Sequence, residues 1–131
     1  MSIKVVPLLL SVAWSLSAVA QQAEIERPVP YRCDDLVVIG RFHNNNDYQH
    51  VDLGDDVLGH GWMTARITVR RSLFGRQPPR SIDVRYFGHT YYREDRDFVL
   101  VIGPLGHETR IVRGAYLVEH GRRRPLQPAC S

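Results

Sequence analysis

The side chains best suited to chemistry in this sequence lie between residues 43 and 61, where His43, His50 and His60 are interleaved with Asp52, Asp55 and a cluster of asparagines. Imidazole nitrogens and carboxylate oxygens are the donors that metal ions take from proteins. One expectation is therefore a metal-binding domain built on His43, His50, His60, Asp52 and Asp55. No pair of them falls at a known ligand spacing: there is no His-Glu-x-x-His, no His-x-His and no Asp-x-Asp-x-Asp-Gly loop. The competing expectation is a solvated polar loop with a short helix at 55–58. The second group of interest is Arg66, Arg70 and Arg85, with Phe87, Tyr91 and Tyr92 nearby in sequence. Guanidinium groups interleaved with aromatic rings are how some barrels grip single-stranded nucleic acid. The export that the N-terminus predicts takes the chain away from most nucleic acid and makes an anionic envelope polymer or an acidic protein surface the more sensible target; the alternative is a solvated sheet face with Asp83 and Arg85 paired across strands.

Catalytic constellations are absent from the pattern. Ser72, Ser81 and Ser131 sit in no Gly-x-Ser-x-Gly elbow. Asp34 with Asp35, and Glu94 with Asp95, are sequence neighbours, and on a strand neighbouring side chains point to opposite faces rather than into one acid–base site. His89 and His107 stand near turns without an assignable nucleophile. The expectation is a binding protein without catalysis and without a cofactor.

The elements that must position these residues read as strands. Residues 36–42 are apolar on both faces around Val37-Val38-Ile39, and so are residues 98–102. Between 63 and 73 the pattern alternates: Ala65, Ile67 and Val69 point one way, Thr64, Arg66, Thr68 and Arg70 the other. Phe74-Gly75-Arg76-Gln77-Pro78-Pro79 breaks the run as a turn, and Ile82, Val84 and Tyr86 resume the alternation in a strand that pairs antiparallel with its predecessor. A fifth strand spans 109–119, with Gly114 marking a bulge or bend. Five such strands predict an all-β fold, a small five-stranded OB-like barrel whose closure removes exposed edges. The 19 residues from His43 to Gly61 form a loop between its first two strands. That is longer than the roughly 12–15 residues that need no functional explanation.

The N-terminus predicts export. Lys4 precedes an apolar run over 5–19 that ends in Ala18-Val19-Ala20, the small-x-small pattern a signal peptidase accepts. Cleavage after Ala20 is expected, leaving no membrane span; the alternative is an uncleaved anchor. The chain then divides into a signal peptide (1–20), a charged, proline-bearing tether (21–32) and one barrel domain (33–131), placed in the periplasm or outside the cell. Cys33 and Cys130 are the two cysteines, and an oxidising compartment makes an intramolecular disulfide the simplest reading, against free thiols or a bond to another chain. After loss of Lys4 every basic side chain is arginine, and the 16 arginines barely exceed the 14 acidic residues, so the charge balance does not argue for nucleic acid.

The order of these residues resembles the OB-fold domains of the superfamily containing tissue inhibitors of metalloproteinases and the netrin module. The resemblance is carried by Cys33-Asp34-Asp35-Leu36-Val37-Val38-Ile39-Gly40-Arg41, by Ile67-Thr68-Val69 through Leu73-Phe74-Gly75, by Ile82-Asp83-Val84 and by Phe98-Val99-Leu100-Val101. It implies the barrel alone. Animal inhibitors of that family chelate the protease zinc through an N-terminal cysteine, whereas Cys33 lies inside the expected mature chain and their additional cysteines are missing here. The function expected is an exported module that recognises a protein or an anionic envelope component through the 43–61 loop and the arginine face of Arg66, Arg70 and Arg85 with Phe87 and Tyr92. A purely structural envelope domain without a ligand is a third reading.

Overall fold

The computed structural model describes residues 2, 27–105 and 109–129. The expected signal peptide apart from Ser2, residues 21–26 and Cys130 lie outside the described residues. These hold eight strands and no helix: β1 (Val29–Tyr31), β2 (Leu36–Asn44), β3 (Gln49–Val51), β4 (His60–Phe74), β5 (Ser81–Gly88), β6 (Phe98–Leu105), β7 (Thr109–Leu117) and β8 (Leu126–Pro128). The five strands expected from apolar patterning are β2, β4, β5, β6 and β7.

Those five close into a barrel. The sheet runs β2-β6-β7-β5-β4, and β4 pairs back with β2. All seams are antiparallel except β5–β7, which is parallel through Val84↔Arg110 and Arg85↔Ile111. The long β4 makes closure possible. Its first half pairs with β5 from Gly61↔Gly88 to Thr68↔Ser81, and its second half continues past that hairpin along β2 to Val37↔Phe74. Register shifts at Val37/Val38 and Ile39/Gly40 bend the β2–β4 seam, which is what a bulge does to a strand that must curve.

Strand alternation sends one set of side chains inward. Leu36, Val38 and Phe42 of β2 meet Met63, Ala65 and Ile67 of β4, Ile82, Val84 and Tyr86 of β5, Phe98, Leu100 and Ile102 of β6, and Val112 of β7. Phe42 is fully buried, and burying a side chain of that size stabilises by about 2–3 kcal/mol.

The double-faced apolarity of β2 and β6 has a second cause besides closure. Val37, Val99 and Val101 face outward and are buried beneath β1 and β8, which form a parallel two-stranded ribbon through Val29↔Leu126 and Tyr31↔Pro128. Val29 and Tyr31 fill this outer core with them, and the Tyr31 ring lies 4.5 Å from that of Phe74. The expected tether at 21–32 therefore needs correction: its last part is strand β1, because the outward apolar side chains of β2 and β6 need a cover.

The 43–61 loop also differs from expectation. No helix forms at 55–58, and Gln49–Val51 instead pairs antiparallel with the start of β4 as a short edge strand. Gly54 and Gly59, on either side of that segment, adopt left-handed φ of 75° and 71°, which glycine takes without strain.

Candidate functional site

The loop end of the barrel is built where β2 and β7 finish, β4 begins, β5 finishes and β6 begins. The 44–60 segment is tied down by Asp47, whose carboxylate accepts the Thr64 amide at 2.8 Å and the Thr64 hydroxyl at 2.6 Å. The Tyr91 hydroxyl donates to the Asp47 carbonyl at 2.8 Å, joining the 89–97 connection to the same loop. Both Thr64 contacts hold the Asp47 carboxyl below the ordinary carboxylate value of 3.8. A depressed folded-state value means stabilisation that is complete above the unfolded value and disappears as pH falls through the folded one. The Tm difference between wild type and Asp47→Asn is thus expected to be constant near neutrality and to shrink only below pH 3.8, which thermal melts across acid pH will read.

β3 depends on the absence of a side chain at Gly61. A Cβ there would overlap the Gln49 carbonyl oxygen and stand 2.8 Å from the Tyr48 ring. Gly61→Ala is expected to push β3 off β4 while the barrel persists, since β3 is not one of its staves. Amide hydrogen exchange should speed up at residues 49–51 and stay slow at Val38 and Leu100.

Beside this loop a cleft of about 450 Å3 is lined by His60, Tyr86, Phe87, Gly88, His89, Thr90 and Tyr92. His60 Nδ1 lies 2.5 Å from Asp56 Oδ2. An ionised carboxylate only accepts, so Nδ1 carries the proton and Nε2 is left for other contacts. That hydrogen bond also holds the Asp56 carboxyl below its ordinary range. The His60 ring stacks on Phe87 with centroids 5.6 Å apart and meets His89 edge-on at 5.4 Å. Trp62 packs against Phe87 at 5.2 Å.

Exposed apolar side chains gather at this end. Among the described residues the exposed large hydrophobics are Tyr48, Leu53, Val57, Leu58, Phe87, Tyr91 and Leu117. The first four belong to the loop, Phe87 to the cleft and Tyr91 to the connection bonded to the loop. Leu117 pairs with Phe98 at the same end of the barrel. Val57 is 97% exposed and Leu58 72%.

Several residues marked in the sequence play other parts. Tyr92 stacks on Phe42 at 4.5 Å and packs on Tyr86 and Phe98, so it closes the barrel core while one side of it lines the cleft, and burial raises its phenol. Tyr86, donating to Asn44 Oδ1 at 2.6 Å, is pushed up to about 12, chiefly by burial. Arg66, Arg70 and Arg85 do lie outward on β4 and β5, but each is engaged within the chain. Arg66 pairs with Asp83 across the strands at 3.1 Å, Arg70 shares Asp97 with Arg41 at 3.0 Å, and Arg85 lies 4.4 Å over the Trp62 ring. Asp83 therefore reaches Arg66 and not Arg85, because residues opposite one another on neighbouring strands are closer than next-but-one residues on the same strand.

The metal set does not assemble. His43 Nε2 is 2.9 Å from the Thr68 hydroxyl, His50 faces Tyr48, His60 is bonded to Asp56, and Asp52 accepts the Gly54 amide at 3.0 Å. Asp55 is exposed. No group of three or more His, Cys, Asp or Glu among the described residues is placed to hold an ion.

One polar pair escaped the sequence reading. Asp35 is 3% exposed; its Oδ2 accepts the Arg32 amide at 2.7 Å, and its Oδ1 stands 2.9 Å from Arg113 Nη2. That contact is ionic without hydrogen-bond alignment, so Oδ1 has no hydrogen bond among the described residues. Arg113 is the extra residue of a bulge, because Val101 pairs with Gly114 and Ile102 with Val112. The bulge re-aims its side chain, and Gly103 leaves the slot it occupies: a Cβ there would overlap Arg113 Nε. The pair lines a cavity of about 240 Å3 shared with the β1–β8 ribbon, at the opposite end of β2 from the loop.

Comparison with protein-family models, curated proteins and solved structures found no match to this chain.

Proposed function

We propose that this chain is an exported protein-interaction module, not an enzyme, and that it docks its partner with the loop end of the barrel. The observation that carries the reading is the concentration of uncovered Leu53, Val57 and Leu58, with Tyr48, Phe87 and Tyr91, at the loop end of the barrel, where Phe87 also lines a cleft. A folded domain with a well-filled core gains nothing by leaving such side chains in water together, and a patch of this kind marks an interaction site. The arginines of β4 and β5 flank the patch. The ion pairs of Arg66 and Arg70 and the seat of Arg85 over Trp62 leave them weaker candidates for gripping an anionic polymer than the apolar loop is for a protein surface, so a protein is the partner class favoured.

Export rests on Lys4, the apolar run and Ala18-Val19-Ala20, and it places the module in the periplasm or outside the cell. It agrees with a Cys33–Cys130 disulfide. Cys33 follows β1, which pairs with β8, and no cysteine among the described residues is free; Cys130 itself lies outside them. What supports kinship with the metalloproteinase-inhibitor and netrin superfamily is the ring of five strands with one parallel seam between the third and fifth, and the kinship extends to the barrel only.

The test is a photo-crosslinking amino acid placed at Leu58, at Val57 and at Arg66 in the exported protein. Adducts of discrete mass at 57 and 58, with none at 66, are the expected result. Adducts at Arg66 alone, or at none of the three, would remove the loop end from the function.

A further inference from the structure

We infer that the partner presents a cationic, apolar-studded protein surface to the loop end; the inference rests on the docking reading above and specifies its chemistry. The reason lies in how this chain disposes of its aspartates. Asp35 pairs with Arg113, Asp83 with Arg66, Asp95 with Arg93, and Asp97 with Arg41 and Arg70, at distances of 2.7–3.1 Å. Arginine is abundant enough to neutralise acids wherever they arise, since Lys and Arg together number 17 in a chain of formal charge +3.

Asp47, Asp52, Asp55 and Asp56 have no arginine partner among the described residues; Asp34 has none either, but it stands alone at the other end of β2, whereas these four share one loop. The 43–61 loop contains all four and neither lysine nor arginine. Asp47 is satisfied by Thr64, Asp52 by the Gly54 amide and Asp56 by His60. None of the four has an ion pair with arginine, and Asp55 has no hydrogen bond or ion pair at all among the described residues. Glu94 of the neighbouring connection is likewise spent on the Asn44 amide at 2.7 Å, and Arg93 of that connection is held by Asp95. The exposed carboxylates of Asp52 and Asp55, which have no ion pair among the described residues, thus share the loop with Leu53, Val57 and Leu58.

An arrangement of this kind selects its partner in two ways. The apolar side chains supply area to bury, while the uncompensated carboxylates attract a basic surface, orient it and penalise an acidic one. Outside the loop the chain carries 17 lysines and arginines against 10 acidic residues, an excess that repels the same basic partner and favours docking at this end. Exposed charges act over about 8 Å at physiological salt, so the attraction is felt by residues touching the patch and is weakened as salt rises.

The test uses a short labelled peptide that interleaves arginine with leucine, together with one carrying glutamate for arginine and one carrying serine for leucine. Fluorescence anisotropy against the full mature protein reads binding. The arginine–leucine peptide should bind, and Asp52→Asn with Asp55→Asn should weaken it about tenfold without changing Tm, because both carboxylates are exposed. Val57→Ser with Leu58→Ser should weaken it comparably, and the glutamate peptide should not bind. Equal affinity for the arginine and glutamate peptides, or indifference to the aspartate changes, overturns the cationic partner while leaving apolar docking intact. Binding that ignores Val57 and Leu58 but needs the aspartates is adsorption of a polycation and overturns the docking reading beneath it. Absence of binding by any peptide also counts against the inference.

Discussion

Arg113→Ala is expected to lower unfolding stability by about 3 kcal/mol. The change strands the Asp35 carboxylate, whose side chain is 1% exposed, without the only opposite charge near Oδ1 among the described residues. Removing one member of a buried pair costs about 3–5 kcal/mol, because the remaining charge keeps its desolvation penalty and loses its compensation. The lower end of that range applies here, since the Arg113 side chain is 26% exposed and water partly reaches the site. Replacing both members, Asp35→Leu with Arg113→Met, should recover most of the loss, since an apolar pair of similar size has no charge to strand. Urea unfolding of the two singles and the double supplies the cycle. A double variant as unstable as the sum of its singles would mean that the two side chains act independently.

Cys33→Ala is the second large effect. Under the proposed bridge it reopens a loop of about 100 residues, and the chain-entropy estimate for such a closure is about 4–5 kcal/mol. The loss falls first on the β1–β8 ribbon, where Ala129 donates to the Tyr31 carbonyl at 2.7 Å. If the ribbon frays, Val37, Val99 and Val101 lose their cover. Wild type should therefore unfold at lower urea in the presence of a thiol reductant, and Cys33→Ala should ignore the reductant. A wild type equally indifferent to it would contradict the bridge.

The barrel staves were legible because alternation at Ala65, Ile67 and Val69 or at Ile82, Val84 and Tyr86 is a local pattern, and the run around Val37-Val38-Ile39 needs no partner to be noticed. β1 was not, since Val29-Pro30-Tyr31 is three residues long and finds its partner near Leu126, at the other end of the sequence. β3 is hidden for the same reason: Gln49-His50-Val51 has no period to read, and its pairing hangs on the missing side chain of Gly61.

At the site, position within the loop was readable but engagement was not. Arg66, Arg70 and Arg85 were visible as outward residues, whereas their acidic or aromatic partners come from neighbouring strands and from Asp97 beyond β5. Tyr92 sits in a polar run whose sequence does not say that the Phe42 ring lies beneath it. Gly114 signalled a bulge, and the extra residue is Arg113 beside it, but its reach to Asp35 through the gap left by Gly103 exists only once β6 and β7 have paired.

The most direct measurement is hydroxyl-radical footprinting of the protein in the envelope, its proposed setting, and after purification. Docking at the loop end predicts that Tyr48, Leu53, Val57, Leu58, Phe87 and Tyr91 are oxidised more slowly in the envelope, while exposed positions away from that end keep their rates. Identical oxidation of those six side chains in both settings would contradict the account.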